Sequence, residues 1–286
     1  MINIKKVLSA TLITALLFTG CANNQSSSTD ATGGSTESTT TAGTSSGASQ
    51  TGSTSTSSST VIDSSDMFTN RDKEVGYDES TSVKLTLSGD SITSSSDSVT
   101  ISGSTATITE EGTYILSGTL DDGMIIVNAD DTAKIQLVLD NVTINSSTSA
   151  AIYVCSADKV FITLASGSEN TLSNGGEYVA IDDNNIDSVI FSKSDLTLNG
   201  NGTLDINAEA GHGIVSKDDL VITSGTYNIN AASHGLSGKD SIRIADGTFT
   251  IVTGKDALHA DNEEDEEKGF IYIAGGSFNL NAQGDG

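Results

Sequence analysis

The chain has 286 residues, 35% of them hydrophobic, and a formal charge of −25 from 38 acidic against 13 basic residues. That balance excludes the clustered Lys and Arg by which proteins hold nucleic acid and a basic face for anionic lipid. Carboxylates in such number favour hard cations such as calcium.

The first stretch, "MINIKKVLSATLITALLFTGC", reads as a targeting segment. Lys5 and Lys6 supply a positive start, and Val7 to Phe18 an apolar run too short to span a bilayer comfortably. "LFTGC" resembles a bacterial lipobox, with Phe18 where Leu is usual. Residues 1–20 are therefore predicted to be a lipoprotein signal peptide and Cys21 the lipidated residue. Its acyl chains would anchor the protein at about 0.8 kcal/mol per buried CH₂. The expected location is the extracellular face of the cell membrane, of the Gram-positive type.

From Cys21 the chain runs to residue 60 almost entirely in Ser, Thr, Gly and Ala, as in "TGSTSTSSST". Such a tract cannot bury enough apolar surface to offset its ordering entropy, so 21–60 is predicted to be a disordered stalk. Residues 61–81 form a lead-in without a readable pattern. With Cys21 lipidated, Cys155 has no partner for an intrachain disulfide and is expected to be an inert structural thiol.

The region from 82 to 286 repeats itself. "GHGIVSKDDLVITSGTYNINA" is followed by "SHGLSGKDSIRIADGTFTIVT", and His212, Lys217, Asp218 and Gly225 return as His234, Lys239, Asp240 and Gly247, each 22 positions on. A third copy carries Asp256, Lys268 and Gly276, with seven extra residues between Leu258 and Lys268. Upstream, "VIFSKSDLTLNGNGTLDIN", "AIYVCSADKVFITL" and "IQLVLDNVTI" are looser copies.

Within each copy apolar residues alternate: Leu220 and Ile222 match Ile242 and Ile244, then Ile271 and Ile273. Period-2 strands recurring at this interval, with Gly, Ser, Asn and Asp between them, predict an all-β solenoid. Stacked coils would align like residues in ladders about 4.8 Å apart. The predicted fold is a right-handed parallel β-helix with three strands per coil. Tyr227, Phe249 and Phe278 share the phase of the buried Ile and Leu and should point inward. Tyr272, in the outward phase with Val221 and Arg243, is the better surface contact. "NAQGDG" opens a fourth copy, with Asp285 29 positions after Asp256; the domain over 82–286 therefore reads as part of a longer one, truncated at its C-terminus.

Two outward columns could carry chemistry. One reads His212, His234, Asp256, Asp285; the other Lys193, Lys217, Lys239, Lys268, flanked by Asp195, Asp218, Asp219 and Asp240. Stacked like charges repel unless neutralised. The ladder is either self-neutralised, Lys against Asp, or a row of donors (His212, Lys217, His234, Lys239) for a polysaccharide lying along the axis. The loop "DALHADNEEDEEK" does not have the alternation of an EF-hand. It is either a solvated charge run or a place where Asp256, Asp261 and Asp285 hold calcium. "IDDNNID", with Asp182, Asp183 and Asp187, is a second candidate calcium cluster. No hydrolase triad, zinc spacing or phosphate loop is present.

"GTYILSGTLDDGMIIVNADDTAKIQLVLDNVTI", "AAIYVCSADKVFITLASGSENTLSNG" and "GKDALHADNEEDEEKGFIYIAGGSFNLNAQGDG" resemble a bacterial carbohydrate-binding domain family. The resemblance implies a right-handed parallel β-helix similar to pectate lyases, calcium sites, and binding of cellulose-like and polygalacturonate-type glycans. The leading expectation is a stalked surface lipoprotein, monomeric and non-catalytic, that captures polysaccharide partly through calcium. The alternatives are a calcium-dependent pectate-type lyase with a Lys base, and a structural spacer or adhesin without a glycan site.

Overall fold

A computed structural model describes residues 66–284. The expected signal peptide, Cys21, the stalk and Asp285 lie outside the described residues.

Three short strands make each regular coil. One coil contains His212–Ser216, Asp219–Ile222 and Thr226–Ala231; the next contains Leu236–Gly238, Ser241–Ile244 and Thr248–Thr253; the third contains Leu258–Ala260, Phe270–Ile273 and Ser277–Ala282. Strands in like positions pair in parallel, in the register of the sequence repeat. Ile214 faces Leu236 and then Leu258; Leu220 faces Ile242 and then Ile271; Tyr227 faces Phe249 and then Phe278. The expected parallel β-helix with three strands per coil is therefore the observed fold. An 8-stranded sheet forms one face, and a 14-stranded sheet forms the other two. The latter is continuous through the long strand Lys134–Ser146, where Asn141 at φ 59° turns the corner. The first coils depart from the parallel rule. Val83–Gly89 pairs antiparallel with Ser91–Ser94, and Val99–Ser102 with Thr105–Ile108.

Alternation sends one residue in two into the helix, where Leu220, Ile222, Ile242 and Ile244 are fully buried. Each such side chain contributes about 1.5–3 kcal/mol relative to exposure. The predicted inward aromatic row is present: Tyr227 and Phe249 stack at 5.3 Å between ring centroids, and Phe249 and Phe278 at 4.8 Å. The recurring glycines beside this row have a conformational cause. Gly225, Gly247 and Gly276 adopt φ of 115°, 141° and 111°, a region that side chains disfavour.

The described part of the lead-in, residues 66–81, unreadable in sequence, runs lengthwise over the outer side of the 14-stranded sheet. Beneath it lies an outward column in strict register: Gln136, Phe161, Thr197, Val221, Arg243 and Tyr272. Phe68 packs beside Tyr272, their rings 6.0 Å apart, and Met67 accepts a hydrogen bond from Arg243 at its carbonyl (3.3 Å). Arg71 lies over the Phe161 ring at 4.4 Å and donates to Gln136. Asp72 accepts from Thr197 at 2.8 Å and pairs with Lys159 at 2.9 Å. Thr223 and Asn199 donate to the Asp72 carbonyl. This strap corrects one expectation: Tyr272 is not an open surface contact but the half-buried end of a covered column.

A second small apolar cluster lies outside the helix on the 8-stranded face. Ile186 and Tyr178, from the insertion formed by residues 175–187 between the strands Glu169–Asn174 and Ser188–Ser192, pack on Tyr153, Phe191 and Val215, with the half-buried Cys155 at the cluster's margin.

Candidate functional site

The 8-stranded face changes character along its length. Its outward row runs Tyr153, Phe191, Val215, Ser237, His259, each in register with the last. The large side chains at the start are roofed by the insertion. At Ser237 and Gly238 the side chains shrink, and a groove of about 330 Å³ opens. It is lined by His212, Lys217, His234, Lys239, His259 and Asp261, among others. The four sequence-predicted donors His212, Lys217, His234 and Lys239 are thus brought together, with Asp261 at the rim. Tyr272 belongs to another face.

All three histidines of the chain stand in one stack. The rings of His212 and His234 are 5.0 Å apart and nearly parallel, and those of His234 and His259 are 4.1 Å apart. Backbone geometry builds the stack: the His234 N–H donates to His212 Nδ1 (3.3 Å), and the Asp256 N–H donates to His234 Nδ1 (3.2 Å). Burial foremost, and then neighbouring positive charge, hold the pKa of His212 and of His234 down to about 4. Both rings are neutral at neutral pH, as lone pairs that accept from the backbone require. His212 also stands 3.9 Å from the Asp187 carboxylate.

His259 escaped the sequence reading because it falls 25 positions after His234, outside the interval of 22. The pairing of Leu236 with Leu258 carries the missed signal. It sets His259 opposite Ser237, whose small side chain leaves room for the imidazole to lean over His234.

The lysine ladder is neutralised unevenly. Lys239 pairs with Glu264 at 2.8 Å, and Lys268 pairs with Asp240. Lys217 forms no ion pair among the described residues; its ammonium sits 5.3 Å from the Phe191 ring centroid. The two alternatives for the column therefore divide it between them. Beside it, Asp218 and Asp240 perturb each other's titration. Burial, then the hydrogen bond that its protonated form donates to Asp240, pushes the Asp218 carboxyl up to about 6. Burial would raise Asp240 too, but the hydrogen bonds from Lys268, Asp218 and Asn262 and the charge of Lys268 together outweigh it and hold Asp240 below the ordinary carboxylate value.

The predicted calcium residues are directed to different neighbours. Asp182 accepts from the Tyr153 hydroxyl and from the Asn184 N–H, both at 2.7 Å; Asp183 is exposed. Asp187 turns to His212 instead, and its Oδ1 is buried without a hydrogen-bond partner. Asp256 lies not in an oxygen cage but between imidazoles, its Oδ2 3.2 Å from His234 Nδ1 and 3.0 Å from His259 Nδ1. That mixed nitrogen and oxygen set does not fit calcium, which takes oxygen ligands.

Fold and groove together define a parallel β-helix protein with a polar, partly cationic groove on one face. The chain belongs to the family of carbohydrate-binding domain-containing proteins, whose model matches residues 102–286. It is 44% identical over 180 residues, 62% of its length, to a carbohydrate-binding domain-containing protein of Acetivibrio thermocellus. The match spans 63% of that relative. A solved structure of the polysaccharide lyase-like protein from C. thermocellum, a gadolinium derivative, superposes with a TM-score of 0.66. The two are 37% identical, over 68% of this chain and 80% of that one.

Proposed function

We propose that the protein captures polysaccharide in the groove of the 8-stranded face, held at the cell surface by a lipid on Cys21 and raised from it by the stalk. The observation that carries this reading is the convergence of His212, Lys217, His234 and Lys239 on one open groove; membership of a carbohydrate-binding family supports it. The groove opens where successive coils stack, so donors recur about every 4.8 Å along the axis, a spacing suited to a polymer with its own repeat. Lys217, without a carboxylate partner among the described residues, is the cation available to an acidic glycan. Calcium belongs to the same proposal. The exposed Asp182, Asp183 and Asp261 would hold it jointly with carboxylates of the glycan, since hard cations prefer such oxygens.

Capture without cleavage is the reading the groove favours. A lyase with a Lys base needs an amine that loses its proton near neutral pH. The hydrogen bond and charge of Glu264 instead raise the Lys239 pKa. Calorimetric titration of the full chain with polygalacturonate, with and without calcium, tests the proposal. Binding with no ultraviolet-absorbing unsaturated product is expected. Unsaturated product would replace capture with a lyase, and no binding to polygalacturonate or to cellulose would overturn both.

A further inference from the structure

The groove wall holds a donor set of which glycan capture uses only His234. His234, Asp256 and His259 each bring one donor atom to within 4.8 Å of the others. Zinc bonds of about 2.0–2.1 Å at tetrahedral angles set donor atoms about 3.4 Å apart. The separations of Asp256 Oδ2 from the two imidazoles, 3.2 and 3.0 Å, are already of that size. Two imidazoles and a carboxylate are borderline donors, suited to zinc, nickel or copper rather than to calcium or magnesium.

The backbone fixes the set in place. Gly235 donates to the Asp256 carbonyl at 3.1 Å and Leu236 to that of Ala257 at 2.9 Å, which locks the two coils in register. His259 then projects from the position that Ser237 fills one coil earlier. His234 Nδ1 lies 3.2 Å from Asp256 Oδ2, and its one lone pair, which accepts from the Asp256 N–H, would be given up to a cation placed between the two acceptors. Because His259 borders the groove, an ion held here would face it with any position the protein leaves unfilled.

We propose that His234, Asp256 and His259 form a three-ligand site for a first-row divalent transition metal, zinc being the representative, with its fourth position open to the groove. The site shares His234 with the glycan reading but does not rest on it, and it can be measured without polysaccharide. The full chain, stripped with chelator, is titrated with Zn²⁺ by calorimetry and with Co²⁺ by visible absorption, both in excess calcium. One ion per chain with the absorption of tetrahedral cobalt is expected. Loss of a partner that only orients a ligand typically costs 10–100-fold in affinity. Loss of a ligand in His259→Gln or Asp256→Asn should therefore exceed about 100-fold, with the circular dichroism of the β-helix retained in at least one of them. Absence of binding would leave the cluster as a stack of imidazoles and overturn the site. Binding unchanged in both variants, or abolished by calcium, would overturn it equally.

Discussion

The Asp72 carboxylate, 2% exposed, meets the Lys159 ammonium at 2.9 Å beneath the strap, where Thr197 and Thr69 complete its hydrogen bonds. This pair joins the lead-in to the outer side of the β-helix. Removing one member of a buried pair leaves the other uncompensated, at a cost of about 3–5 kcal/mol. Asp72→Ala is expected to lower stability by that order, read as a shift of the denaturant midpoint.

The same carboxylate confers an acid sensitivity. Burial alone would push its pKa up, but the hydrogen bonds from Lys159, Thr197 and Thr69 outweigh burial and leave it below the ordinary value. A folded-state pKa below the unfolded one stabilises above the unfolded value, about 3.9, and the contribution is lost as pH falls through the folded value. The wild type should therefore lose stability below about pH 4 more steeply than Asp72→Asn. Thermal unfolding between pH 2 and 6 checks this.

Asp218 works in the opposite sense. Its folded-state pKa, raised to about 6, makes a contribution that is full below the unfolded value and is lost as pH rises through 6. Asp218→Asn keeps a neutral side chain throughout. It should gain thermal stability on the wild type between about pH 5 and 7, and a parallel pair of pH profiles would refute the raised Asp218 pKa.

Gly247→Ala should destabilise by about 1–3 kcal/mol. The backbone there is at φ 141°, and an added Cβ would lie 2.9 Å from the Phe249 ring. A chemical melt of this variant reads the cost, with Gly254→Ala an unsuitable control because its Cβ would strike the Ala232 carbonyl at 2.2 Å.

The two groove lysines should differ in their effect on capture. Lys217→Ala removes a cation with no carboxylate partner among the described residues, and a tenfold loss of affinity for an acidic glycan, about 1.4 kcal/mol, is expected. Lys239→Ala removes a charge that Glu264 already balances, so its effect should be smaller. Tyr272→Ala, on another face, should leave affinity unchanged. Affinity electrophoresis in polygalacturonate gels ranks the three.

The sequence by itself determined the coil, the strand register, the inward aromatic row and the phase of the His and Lys columns. In a solenoid the contact between neighbours is a translation by one repeat, so spacing along the chain is position in space. His212 and His234 could be set side by side from their interval alone. Only the tertiary structure decided what breaks the translation. The strap joins Asp72 to Lys159, Thr197 and Thr223, none of which shares a repeat with it, so no period could announce the pairing. His259 enters the imidazole stack from a different column, through the space that Ser237 leaves. Asp256, whose column suggested an oxygen site, takes its chemistry from those imidazoles, because the nature of a ligand set depends on which side chains lean together and not on which positions recur.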